Sequence, residues 1–116
     1  MAVGSVKSGY SFLDTFGGRF FNTVDYSGPT SYVGGVGAGD LLSPNAFGFN
    51  NTIQFVWASG DQTGLLIGIP FPVNNGVTKW YLRWFAVSAT TPGIGAEVTN
   101  GTNLSTKILK LTAVGF

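Results

Sequence analysis

Five carboxylates are the acidic groups available for acid–base chemistry in this chain: Asp14, Asp25, Asp40, Asp61 and Glu97. Two of them working together, as in glycoside hydrolysis, would have to stand roughly 5–10 Å apart. The sequence holds no histidine and no cysteine, which removes Ser-His-Asp and Cys-His nucleophilic sites, imidazole metal sites and thiolate chemistry together. Asp40 and Asp61 fall in the glycine-rich stretches GGVGAGD (34–40) and SGDQTG (59–64), where an aspartate is expected to hydrogen-bond local backbone. One Asp per loop is too few for a calcium site. The GGVGAGD spacing does not match G-x-G-x-x-G, no Gly-Lys-Ser/Thr follows it, and no helical period begins there, so it reads as a bend rather than a phosphate cradle. No catalytic residue, no metal site and no cofactor is expected, and the chain is read as a non-enzyme.

The aromatic residues are the other chemically distinctive set. In TKWYLRWFAVSAT (78–90), strand alternation puts Trp80, Leu82, Trp84 and Ala86 on one face and Tyr81, Arg83, Phe85 and Val87 on the other. Both faces carry large apolar groups. One therefore fills a core and the other needs a cover, supplied by a protein neighbour or by a loop of the same chain such as 89–106. Trp80 and Trp84, about 13–14 Å apart on one strand face, together with Trp57, also have the geometry of a sugar-stacking platform. Against that reading, their neighbours Leu82, Phe85, Ala86 and Val87 are apolar, whereas sugar hydroxyls need polar partners. The candidates for a protein interface are Trp80, Tyr81, Trp84 and Phe85, with Tyr10, Phe12 and Phe16 in the N-terminal segment.

The elements that position these residues are short and extended. Glycine and proline, 18 and 5 residues of 116, leave no window of helical periodicity. RFFNTVDY (19–26), Tyr32–Val36, TIQFVWAS (52–59), 65–71, 77–88 and KILKLTAV (107–114) read as strands, with a brief pairing at Glu97–Thr99 and a turn of helix or wide loop in LLSPNAFGF. In TIQFVWAS, alternation groups Ile53, Phe55 and Trp57 on one face against Thr52, Gln54, Val56 and Ala58. Asn75-Gly76 supports a tight hairpin between 65–71 and 77–88. The expected fold is all-β, a single-domain β-sandwich of six to eight strands, jelly-roll-like. Residues 19–116 form the sandwich, and residues 1–18 are either its first strand or an extended arm.

Only 9% of residues are charged and the net charge is +1. The basic residues are scattered singly, so a nucleic-acid partner is not expected, and no apolar run reaches the length of a membrane span. The start of the chain lacks a signal-peptide pattern, which predicts synthesis and use without secretion. So sparse a charge content favours association.

Two stretches resemble small virion proteins of tailed bacteriophages. They are YVGGVGAGDLLSPNAFGFNNTIQFVWASGDQTG (32–64), with its aromatic strand, GG…GDxL bend and FGF turn, and GAEVTNGTNLSTKILKLTAVGF (95–116). The resemblance implies a structural role, most like a capsid cement or decoration protein: a homo-oligomer, dimer or trimer, bound to the major capsid protein at the capsid surface and made in the host cytoplasm. A tail or neck component, or a carbohydrate-binding or receptor-recognition module, is the alternative.

Overall fold

The computed structural model describes residues 4–6, 14–16, 19–87 and 94–116. Two antiparallel sheets pack face to face. The first is built on β3 (Arg19–Ser27), β9 (Ile108–Gly115) and β5 (Ile53–Ala58), in the order β3-β9-β5. The short strands β1 (Ser5–Val6) and β2 (Asp14–Phe16) pair with opposite ends of β3. The second sheet is built on β6 (Leu66–Asn75) and β7 (Val77–Val87), with β4 (Asp40–Leu42) and β8 (Ile94–Glu97) both pairing along the far side of β7. The chain is thus an all-β sandwich. Helical structure among the described residues is one 3-10 turn at Pro44–Phe47, which Gly48 ends with φ +81°.

The two-faced strand is β7, and its inner face is the one bearing tryptophan. Trp80, Leu82 and Trp84 point into the sandwich, with Trp84 0% and Trp80 7% exposed. They meet Val24 and Tyr26 of β3, Leu109, Leu111 and Ala113 of β9, and Ile53 and Val56 of β5 in one core cluster. Burying a side chain of this size contributes roughly 2–3 kcal/mol, provided the indole N–H finds an acceptor. Both do: Trp80 Nε1 donates to the Ile53 carbonyl and Trp84 Nε1 to Asp40 Oδ2, each at 3.0 Å. Gly68 of β6 lies opposite Trp84. A Cβ there would come within 2.5 Å of Leu109 Cδ1 and 2.9 Å of Leu82 Cδ1, so glycine makes the room the core needs.

Three expectations are corrected. Trp80 and Trp84 are interior groups, which takes both out of any exposed interface or sugar platform; their indoles are anchored by acceptors on other segments. Alternation in 52–59 is broken by a bulge, because Ile53 pairs with Gly115 and Phe55 with Val114, leaving Gln54 as the extra residue. Ile53 and Val56 therefore face the core, while Phe55 and Trp57 turn outward, 50% and 48% exposed. Tyr32–Val36 is not a strand. Tyr32 N–H donates to the Thr102 carbonyl and its own carbonyl accepts from Gly101 N–H, so it is a buried loop residue tied to the 99–105 segment.

Tyr32 also closes a gap in the second sheet. β4 pairs with residues 80–82 of β7, and β8 pairs from Phe85 onward, leaving the backbone of Trp84 without a strand partner on that side. A buried N–H needs an acceptor, and Tyr32 Oη supplies it at 3.0 Å while the Trp84 carbonyl accepts from Val98 N–H.

Candidate functional site

Each described carboxylate side chain has a structural partner. Asp61 accepts from the Thr63 hydroxyl and from the backbone N–H groups of Leu65 and Leu66. Burial works against its charged form, but these hydrogen bonds prevail and hold its carboxyl below the usual range. Asp25 pairs with Lys110 at 2.6 Å. Glu97 takes a two-point contact from Arg83, Nη2 to Oε1 at 2.7 Å and Nε to Oε2 at 3.2 Å. The Tyr32 hydroxyl and Gly35 N–H also donate to its Oε2. Chiefly through the Arg83 bonds, and against desolvation, the Glu97 carboxyl is pulled down to about 2.

Asp40 is different. It is 0% exposed and takes hydrogen bonds from Tyr26 Oη (3.1 Å) and Trp84 Nε1 (3.0 Å), both on Oδ2. Its Oδ1 is buried with no partner. Desolvation dominates, only partly offset by those two donors, and raises its carboxyl to about 6. Desolvation, and then the nearby Asp40 charge, push the Tyr26 hydroxyl well above its usual value. Gly39, just before Asp40, has φ +107°, and a Cβ there would lie 2.6 Å from the Leu82 carbonyl oxygen. Glycine at this bend is what lets Asp40 enter the core edge. Among the described residues no group of three or more acidic side chains gathers as a metal site would require.

The chemistry that remains accessible lies on the two outer faces. On the second sheet, β6 presents Ile67, Ile69, Phe71 and Val73 opposite Phe85, Arg83, Tyr81 and Lys79 of β7. Tyr81 and Phe85, two of the expected interface residues, are half-buried on this face. Arg83 lies 5.1 Å from the Phe71 ring centroid and 5.2 Å from that of Phe85, and its charge is closed off by Glu97. The centre of the face is apolar around one internally satisfied ion pair, and the exposed Lys79 stands at its hairpin end. Tyr10 and Phe12 lie outside the described residues. The structure places the backbone of Phe16 in β2, against Arg19.

The free edge of this sheet is blunted. Pro70 and Pro72 pair opposite Leu82 and Trp80. Lacking an N–H, they occupy positions whose donors would have pointed away from β7. At Leu66, the next but one such position, the N–H donates to Asp61 Oδ1 and the carbonyl accepts from Asp61 N–H. A strand added here would find few donors, so association along this edge is disfavoured.

On the outer face of the first sheet three cross-strand rows precede the closing Ile108–Ser27 pair. Phe55, Val114 and Phe21 align in one, Trp57, Thr112 and Thr23 in the next, and Lys110 and Asp25 in the third. The Thr23 and Thr112 hydroxyls are hydrogen-bonded to each other at 2.8 Å. Arg19 Nε donates to Gln54 Oε1 at the apolar end. Alternation alone misplaces Phe55 and Trp57: a one-residue slip in the run QFVWA exchanges the faces, and nothing in the run marks the slip.

Comparison of the chain with family models, with characterised proteins and with solved structures returns no match.

Proposed function

We propose that this chain is a non-enzymatic structural protein of a phage virion, a capsid cement or decoration protein that self-associates through the outer face of the β6–β7 sheet and binds the major capsid protein. The observation that carries the reading is that face: apolar and aromatic, with its single central charge already paired, beside an edge where proline discourages strand addition. Burying a satisfied ion pair avoids the cost of stranding an unpaired charge. Aromatic residues and arginine at the centre of a patch are what interface cores are enriched in. The placement in a virion rests on the resemblance of residues 32–64 and 95–116.

The magnitude favours a lattice. At about 3.4 Å per residue and 4.8 Å between strands, the 10 residues of β6 and 11 of β7, with the 3 of β4 beside them, present roughly 400 Å² per copy. That is below the roughly 800 Å² per partner of a standard stable interface, so association of free chains is weak and concentration-dependent. Many copies on one particle would add such contacts through avidity. The test is co-sedimentation of the recombinant chain with capsids of the phage that encodes it. Saturable binding at a fixed ratio to the major capsid protein supports the reading, and absence of the chain from the capsid pellet at saturating input sinks it.

A further inference from the structure

The outer face of the β3-β9-β5 sheet has a different chemistry from the face assigned to association, and it carries a separate inference. We infer that this face is a binding site for a neutral saccharide, stacked on Trp57 and hydrogen-bonded across Thr112, Thr23 and the Asp25–Lys110 pair.

A pyranose ring is two-natured: its C–H face is apolar and flat, while its rim carries hydroxyls that each need a donor or an acceptor. A matching protein surface needs an exposed, rigid aromatic ring with polar groups beside it at sheet spacing. Trp57 is 48% exposed. Its ring is buttressed edge to face by Phe55, centroids 4.9 Å apart, and Phe55 in turn packs at 5.7 Å on the buried Trp80. The indole is therefore held in place before a ligand arrives, which lowers the ordering cost of binding.

The polar partners follow in register. Thr112 lies directly across from Trp57, and Thr23 directly across from Thr112, in steps of about 4.8 Å. A hydroxyl offers one donor and two acceptor sites, so after their mutual bond the two threonines retain one O–H and further acceptor capacity for a ligand. One row further along, Lys110 and Asp25 supply cationic donors and a carboxylate acceptor. Their ion pair, with side chains 53% and 23% exposed, is of the surface kind that contributes little and rearranges readily. At this polar end opens a cleft of about 160 Å³ lined by Asp25, Ser59, Gly60, Gln62, Ile108 and Lys110. Apolar, mixed and fully polar rows thus succeed one another toward a cleft. The opposite face of the sandwich lacks this gradient. Because the pair is charge-balanced, a neutral glycan fits better than an acidic one, whose carboxylates would meet Asp25.

The test is titration of the ¹⁵N-labelled full chain with maltohexaose, cellohexaose, mannohexaose and chitohexaose, each to about 10 mM. The expected result is saturable shifts with at least one of them, confined to the Trp57 indole and the backbone of Thr23, Lys110 and Thr112. Trp57→Ala should weaken that binding at least tenfold, and Thr112→Val, which keeps the shape and removes the hydroxyl, severalfold; both sites are at the surface, and unchanged thermal unfolding confirms that the fold is intact. The inference is overturned if no hexasaccharide shifts these signals, if the shifts map instead to Phe71, Tyr81 and Phe85, or if Trp57→Ala binds as well as the parent chain.

Discussion

Asp40 makes the stability of this protein depend on pH in a direction opposite to that of most carboxylates. In the unfolded chain it titrates near 3.8, and in the core near 6. Below the lower value both states are protonated and the group contributes nothing. As pH rises from about 4 to 6 the unfolded chain ionises first, so the folded state loses ground, and above about 7 the loss is complete. At about 1.4 kcal/mol for each pKa unit, the gap corresponds to roughly 3 kcal/mol, or about 10 °C in Tm for a domain of this size. The chain contains no histidine, so no other side chain has its ordinary value between about pH 5 and 8. Asp40→Asn removes the charge while keeping an oxygen for Tyr26 and Trp84. The assay is urea unfolding followed by tryptophan emission at about pH 4.5 and 7.5. The parent should lose about 2 kcal/mol between the two, and Asp40→Asn less than about 1, even if its second amide hydrogen lowers stability uniformly by a similar amount. A parent whose stability is flat or rises over that interval, or a variant with the parent's slope, would refute the reasoning.

Further consequences concern the groups around it. Tyr32→Phe strands the Trp84 N–H and removes one donor from Glu97, and should cost about 1–3 kcal/mol, read as a lowered urea midpoint with unchanged m. Glu97, depressed to about 2, stabilises the fold above its unfolded value near 4.5 and loses that contribution as pH falls toward 2. Glu97→Gln should flatten this acid limb by roughly 2 kcal/mol after discounting for partial exposure, leaving the parent with a stability maximum near pH 4–5 in a pH-resolved melting series. Gly39→Ala forces an L residue to φ +107° and against the Leu82 carbonyl, and should cost about 2–4 kcal/mol, measured by the same unfolding assay.

Much of the sandwich is legible in local pattern, because its long strands are bounded by glycine, proline and Asn-Gly turns. Trp80, Leu82 and Trp84 share a face by alternation alone. That this face is the inner one is decided by Ile53 and Asp40, residues 27 and 44 positions away in the chain, which accept the two indole hydrogens. Alternation carries no record of that. The bulge at Gln54 is equally silent in composition, since both phases of QFVWA place an aromatic or branched residue inside. It exchanged Phe55 and Trp57 for Val56 and so created the candidate saccharide face. Tyr32 reads as a strand residue by type, yet works as a hydroxyl filling a ladder gap between two short strands, a role that exists only once β4 and β8 are both docked. Pro70 and Pro72 would ordinarily end a strand; they persist in β6 because their missing donors fall on its free edge.

The claim on which the functional account turns is that the outer face of the β6–β7 sheet is buried between copies. The most direct measurement is the solution mass by size-exclusion chromatography with light scattering, from about 1 to 100 µM. Beside the parent runs the surface variant Phe71→Ser/Tyr81→Ser. The parent should move with concentration toward two or three times its 12.2 kDa chain mass, while the double variant stays monomeric with its unfolding transition retained. A parent that remains at the chain mass across the whole range, or a double variant that associates as the parent does, would contradict it.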